Sequence, residues 1–383
     1  MKAWCKLWLL ITIIFVCSNS LSAQHDKAEK AIDSIMQRFQ AVGVSVAVVK
    51  NNKLVYNQSF GYSNLQHKTP LTNENIFRIA SISKSFTATG IMQLVQAGKI
   101  SLQQDISELL GFTIRNPKFP DKVITLKMLL AHRSSLNDKQ GYFVLDILQP
   151  DKNADWAKSF NDYEPGTTYQ YCNLNFNLTG TIIERASGVR FDNYIVQNIF
   201  KPLNLYGGYC NDSLDSKRFA TLYEFNKDSN QFIAAENAYH PRREELAKYV
   251  MGYNTPVFSP TGGVKISAHD LAQYMMMHMN KGKLKKKKII SKKSAAVMQT
   301  AYATDNDYGL ALEVDNDKIV SGVKLTGHTG SAYGLYSAMF FNPKEKYGFV
   351  VITNGCKPED IGGMNGVLKE TINALHRHFI LNL

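Results

Sequence analysis

Apolar and polar positions follow two periods along these 383 residues. After a short leader-like start, Ala28, Ala31, Ile32, Ile35, Met36 and Phe39 recur at helical spacing. Val44 to Val49 is a β-branched run, Asn51-Asn52 a turn, and Leu54 to Phe60 a second strand, which together predict a hairpin. Ile82, Phe86, Gly90, Ile91, Leu94 and Val95 form the stripe of a buried helix that stops near Gly98. From about residue 100 to 260, short helical patterns mix with Pro and Gly turns. Strand patterns return at Gly309 to Val314, Ile319 to Leu325, Leu335 to Phe341 and Tyr347 to Thr353. A last helix carries Met364, Val367, Leu368, Ile372, Leu375 and Phe379 on one face. Strands at both ends and helices between them predict an α/β (α+β) fold. One sheet is built from the two ends of the chain, terminal helices cover it, and a mainly helical lobe is inserted. The lobes divide at about 24–80 and 260–383 for the sheet and about 81–259 for the helices. No internal repeat or low-complexity linker interrupts the pattern.

The start of the chain reads as a signal rather than as fold. Lys2 and Lys6 precede the apolar run Leu7 to Val16, and Leu21-Ser22-Ala23 ends in a small residue suited to cleavage. That run is about half the roughly twenty residues a membrane-spanning helix needs. The expectation is an exported protein, periplasmic or extracellular, with a soluble mature chain from about Gln24. Left uncleaved, the same run would be a membrane anchor. Cys5 and Cys17 fall in this segment, which leaves Cys172, Cys210 and Cys356. An odd number excludes a disulfide framework, though one bridge between two of them remains open.

An apolar fraction of 44% fits a packed core and not disorder. The formal net charge is +12, but eight lysines fall between Lys281 and Lys293, so two-thirds of the excess is local. This cluster reads either as a solvated turn or as a surface that attracts an anionic wall polymer or lipid. It lacks the interleaved aromatics of single-strand binders, so nucleic acid is not expected as a partner.

Candidate chemistry begins at Ser81-Ile82-Ser83-Lys84. A serine hydroxyl is a poor nucleophile until a base takes its proton. Residues three apart share a helix face, so Lys84 can set its amine beside Ser81. A desolvated lysine can lose its proton near neutral pH and act as that base. Ser321-Gly322-Val323-Lys324 repeats the spacing, but in a strand pattern, where residues three apart face opposite sides. The second segment is Tyr171-Cys172-Asn173, after Pro165-Gly166-Thr167. A tyrosine oxygen beside a lysine can shuttle protons, and an asparagine amide can hold a substrate amide. Tyr62-Ser63-Asn64 shares the pattern but falls in strand and turn before the nucleophile, where it reads as structural. The third segment is His328-Thr329-Gly330-Ser331. A small residue there lets substrate lie along a strand, whose N–H can join that of Ser81 in an oxyanion hole. No Gly-x-Ser-x-Gly elbow, His-Glu-x-x-His pair or cysteine cluster is present. His132, His240 and His269 read as packing or surface residues, and Cys172 as a small filler. No metal or cofactor is expected.

Taken in order, these segments resemble the serine β-lactamase-related family. That family joins class C β-lactamases, D-alanyl-D-alanine carboxypeptidases, D-aminopeptidases and carboxylesterases. Leu129-Leu130-Ala131-His132 with Leu136, and Thr261-Gly262-Gly263 before Ser267 and Asp270-Leu271, resemble its secondary marks. The resemblance runs from about residue 28 to 378 and implies a β-lactamase/transpeptidase-like fold with the site between its lobes. It implies an acyl-enzyme on Ser81, proton exchange with Lys84 and Tyr171, and substrate held by Asn173. It also implies an oxyanion hole from the N–H groups of Ser81 and Ser331, with His328 and Thr329 on the acyl-binding strand. The substrate would be a small molecule or peptide carrying an amide or ester. The other reading is a catalytically silent penicillin-binding-like receptor for wall peptides, whose expected mark, a lost Ser or Lys, is missing. Three departures stand out. Cys172 replaces the usual Ser or Ala, and Arg133-Ser134-Ser135 replaces Thr-Ser-Gly. His328 stands where β-lactamases carry Lys. Histidine titrates near 6.5, so the expectation is that His328 reads a substrate carboxylate only as the pH falls toward about 6.

Overall fold

The computed structural model describes residues 24–303 and 305–383. The expected signal, residues 1–23, lies outside the described residues. Helix α1 (24–38) leads into strands β1 (Gly43–Lys50) and β2 (Lys53–Asn64). Asn51 and Asn52 turn the hairpin with φ of 53° and 61°, the left-handed pair that a two-residue connection between twisted strands requires. Strands β3 (Glu313–Asn316), β4 (Leu325–Ala332), β5 (Leu335–Asn342) and β6 (Tyr347–Thr353) complete the sheet. The order is β3-β4-β5-β6-β1-β2, followed by the two-residue edge Thr69–Pro70, and every neighbouring pair is antiparallel. The two ends of the chain thus share one sheet, as the strand pattern predicts.

Strand β1 is central and buried on both faces. Val44, Val46 and Val48 pack with α1 residues Ala28 and Ile32 and with the final helix Gly366–Leu375. Ala47 and Val49 point the other way, into the larger core shared with the helix Ala268–Met279 and the helical region. Alternation along a strand produces these two layers. Helix α2 (Ser83–Gln96) lies inside the larger core, and Phe86 stacks on Tyr274 at 3.7 Å and on Phe200 at 5.3 Å between ring centroids.

Two strand expectations hold only at their ends, at Glu313 and Val314 in β3 and at Leu325 in β4. Residues 309–312 form a tight reversal, with Gly309 N–H bonded to the Leu312 carbonyl at 2.8 Å and Ala311 at φ 60°. Residues 318–322 form a turn. Ile319 and Val320 are buried there because they pack on the terminal helices, where Asn373 donates to the Ile319 carbonyl at 2.8 Å. Apolar residues in a covered turn mimic a strand pattern. The Ser321 to Lys324 copy therefore lies in turn and loop, not in a strand, with Lys324 exposed.

Candidate active site

Ser81 sits in one 3-10 turn, Ala80–Ile82, that runs into α2. The turn is clamped on both sides. Ile79 donates to the Val264 carbonyl at 2.9 Å, Ser337 Oγ donates to the Ile79 carbonyl at 2.9 Å, and Val264 N–H donates to Ser83 Oγ at 3.0 Å. Ala80 is held at φ 49°, a left-handed position for a residue with a side chain. Gly330 on β4 explains how strand and turn meet. A Cβ there would come within 2.3 Å of the Ile79 carbonyl and 2.5 Å of Ser337 Oγ. The side of Gly330 that lacks an atom faces the nucleophile turn, so its smallness serves strand-to-turn contact and not substrate passage, contrary to the sequence-based expectation.

Lys84 is 0% exposed. Its three donors meet three acceptors: Ser81 Oγ at 3.0 Å, Asn173 Oδ1 at 2.9 Å and the Thr261 carbonyl at 3.0 Å. The amine also lies 4.8 Å from the Tyr171 ring centroid. Burial lowers its pKa to about 7, with Asp138 opposing part of the fall. The Tyr171 hydroxyl shifts the opposite way. Burial raises it well above the usual tyrosine value, and the neighbouring Ser81 hydroxyl offsets part of that rise.

Asn173 bonds inward more than the sequence suggests. Its Oδ1 accepts from both Lys84 and Thr261 Oγ1 at 2.9 Å, and its Nδ2 donates to Asp138 Oδ2 at 2.9 Å. One Nδ2 hydrogen remains for a ligand. Asp138 is a residue that motif reading missed. It also accepts from the backbone N–H groups of Asn173 at 2.9 Å and Leu174 at 3.0 Å, so it caps helix α3 (Leu174–Ser187). The capping residue lies 35 positions before Asn173 in sequence, so no local spacing points to it. Cys172 donates to the same carboxylate at 3.3 Å, is 0% exposed, and has its pKa pushed well up by burial. It fills space and is not a second nucleophile. Cys172, Cys210 and Cys356 are all free. His132 Nδ1 accepts from the Cys172 N–H at 3.1 Å, and its ring lies 4.3 Å from that of Tyr171. Burial, then the nearby Lys84 charge, hold it neutral.

Strand β3 pairs with β4 only at Leu325 and Gly327, so residues 328–332 present an open edge beyond it. That edge lines a cavity of about 670 Å³ whose walls include Ser81, Tyr171, Asn173, Thr261, His328, Thr329, Gly330 and Ser331. The structure therefore brings every sequence-nominated site residue to one cavity or, for Lys84, to hydrogen-bond distance of its wall. Tyr62 is elsewhere, on β2. His328 departs from expectation. Its Nδ1 donates to the Thr329 carbonyl and its Nε2 accepts from Tyr308 Oη at 3.1 Å. Burial, then the Lys84 charge, lower its pKa to about 4. It is a neutral wall with both nitrogens engaged and does not gain charge between pH 7.5 and 6.

A buried lysine beside a serine at the mouth of a polar cavity, in a helix-flanked antiparallel sheet, defines a beta-lactamase-type fold with a serine–lysine pair at its cavity. The chain belongs to the beta-lactamase family, whose model matches residues 28–370. It is 24% identical over 347 residues to Protein flp of Staphylococcus aureus strain N315, covering 85% of this chain and 62% of that protein. The chain thus spans less than two-thirds of that relative's length. Among solved structures it is similar to the octameric penicillin-binding protein homologue from Pyrococcus abyssi, with a TM-score of 0.72 and 26% identity over 93% of this chain and 77% of that one. D-amino acid amidase from Ochrobactrum anthropi SV3, in complex with D-phenylalanine, shares the fold with a TM-score of 0.72 and 21% identity, covering 94% of this chain and 100% of that one.

Proposed function

We propose that this chain hydrolyses an amide or ester through an acyl-enzyme on Ser81. The carrying observation is the 3.0 Å contact between Ser81 Oγ and a fully buried Lys84 whose pKa falls to about 7. About half of such a lysine is neutral at pH 7. Lys84 is then the base and Tyr171, which stays protonated, the relay. As Oγ attacks the carbonyl, its proton passes to Lys84 Nζ. The N–H groups of Ser81 and Ser331 receive the developing oxyanion. The proton returns through Tyr171 Oη to the leaving nitrogen or oxygen, the carbonyl bond to that atom breaks, and water later releases the acyl group by the same route.

The substrate class is an acyl compound such as a D-amino-acid amide or peptide, or a carboxylic ester. The similarity to a D-amino acid amidase supports the first, and the neutral His328 argues against dependence on a substrate carboxylate. Export is part of the reading and rests on the leader pattern of residues 1–23. Lys283 and Lys285 to Lys288 lie on an exposed small hairpin, Lys283–Leu284 with Lys287–Lys288, and the exposed Lys292 and Lys293 open the helix that follows, a surface suited to an anionic wall or lipid. The deciding experiment is intact-mass spectrometry after treatment with a fluorophosphonate. One adduct is expected on the wild type and none on Ser81→Ala. An adduct that persists on Ser81→Ala refutes the assignment, and no adduct on either favours the silent receptor.

A further inference from the structure

One wall of the catalytic cavity has chemistry that the acyl transfer above does not use. Tyr169, Tyr308 and Glu313 line it. Tyr308 and Glu313 face each other in an antiparallel bridge across the 309–312 reversal. The Tyr169 and Tyr308 rings lie 5.4 Å apart, and Tyr308 also contacts the rings of His132 at 5.3 Å and His328 at 5.9 Å. Asn316 donates to Glu313 Oε2 at 2.6 Å. Glu313 Oε1 accepts no hydrogen bond, and the carboxyl makes no ion pair, among the described residues. The cavity wall does contain a cation, Arg78, but it is committed elsewhere. It donates to the carbonyls of Gly262 and Ala238 and lies 4.9 Å over the Tyr333 ring.

A half-satisfied carboxylate among aromatic faces is the chemistry that receives an ammonium group. The charge supplies attraction, and the ring faces accept the cation where water is scarce. Burial raises the Glu313 pKa, and the Asn316 hydrogen bond and the charge of Lys318 offset only part of that rise. The wall also has a defined place in the reaction. The His132 ring lies 4.3 Å from that of Tyr171, 6.0 Å from that of Tyr169 and 5.3 Å from that of Tyr308, so the aromatic wall that carries Glu313 adjoins Tyr171 in the same cavity. Tyr171 returns the proton to the leaving group, so the leaving group rests against this side.

We propose that Glu313, with Tyr169 and Tyr308, forms a subsite for a cationic leaving group, one that carries an ammonium or substituted ammonium, and disfavours leaving groups that carry a carboxylate. This rests on the acyl-enzyme reading of Ser81. The test compares choline with its uncharged carbon isostere 3,3-dimethylbutan-1-ol as inhibitors of p-nitrophenyl acetate hydrolysis by the full chain. Choline should inhibit competitively at a concentration about tenfold or more below that of the alcohol. In Glu313→Gln the ratio should fall to about one or two, and Glu313→Asp should keep choline the better inhibitor. Equal inhibition in the wild type, or an unchanged ratio in Glu313→Gln, overturns the subsite. Calorimetric binding of the same two ligands reads the subsite without turnover. Loss of the Ser81 adduct with choline binding intact would therefore refute the acyl-enzyme and spare the subsite.

Discussion

The pH dependence of acylation follows directly from the burial of Lys84. Its pKa moves from 10.5 to about 7, which is about 5 kcal/mol against the charged form. At pH 7 a solvated lysine is neutral in roughly three molecules per ten thousand, and Lys84 in about half. Burial thus enriches the base form about a thousandfold or more. Acylation by a neutral fluorophosphonate should fall about tenfold for each unit below pH 6, rise through about pH 7 and level off near pH 8. The other site groups do not supply this inflection. His328 has its pKa near 4, His132 is held well below its usual value, and Tyr171 is raised. The assay is the first-order rate of fluorophosphonate labelling, measured from about pH 5.5 to 9.5. Lys84→Arg should lose about two to four decades at every pH, because a guanidinium does not give up its proton. A flat profile, or an inflection near pH 10, would refute Lys84 as the base.

Three further outcomes follow from the same geometry. Penicillin acylation should show no enhancement over ester acylation between about pH 7.5 and 6, because His328 is already neutral throughout; a rise confined to penicillin would restore it as a carboxylate reader. Gly330→Ala should cost about two decades or more in labelling rate, since its Cβ meets the Ile79 carbonyl at 2.3 Å and displaces the Ser81 turn; wild-type labelling with an unchanged melting temperature would contradict that. Asp138→Ala should lower the melting temperature by about one to two degrees, through loss of a cap worth about 1 kcal/mol or more. It should also slow labelling, because Asn173 then loses the carboxylate that orients its amide toward Lys84; an effect on stability alone would limit Asp138 to the cap.

What was legible in the sequence was local. The β1–β2 hairpin is announced by a β-branched run and two asparagines that accept positive φ. Helix α2 is announced by its stripe and by Gly98. The three motifs name Ser81, Lys84, Tyr171, Asn173 and His328 because each sits in a short, recognisable string. Residues that act across the fold left no such trace. Asp138 serves a helix far along the chain, Tyr308 donates to the His328 Nε2 that the Thr329 carbonyl leaves unprotonated, and Glu313 gains its setting only when the 309–312 reversal brings it to the cavity. The strand misreadings share a cause, since apolar residues are buried in chain reversals, Leu310 and Leu312 in the larger core and Ile319 and Val320 under the terminal helices. The His328 error is one of environment. Sequence supplies the ordinary histidine pKa, while burial and a nearby lysine decide the actual one.

Under the proposed acyl-enzyme, the site also accounts for the choice of Ser81 among several hydroxyls near Lys84. Helix α2 is an unusually polar buried helix, with Ser83, Ser85, Thr87 and Thr89 all inside the core. Buried hydroxyls must be satisfied, and each of these is. Ser83 accepts from the Val264 N–H, Ser85 donates to the Ile82 carbonyl, Thr87 to the Pro260 carbonyl and Thr89 to the Ser85 carbonyl. None of the four lines the cavity. The bonds of Ser83 and Thr87 tie α2 to the segment from Pro260 to Val264, Thr89 also meets Tyr274 Oη at 3.0 Å, and Ser85 bonds back along the helix, so Lys84 is held where water cannot solvate its charge. Ser81 lies one step before the helix, in the strained turn, and its oxygen is the one that both meets the amine and reaches the cavity. The polar residues that make α2 costly to bury therefore fix the position of the base, and the same burial makes that base neutral enough to work.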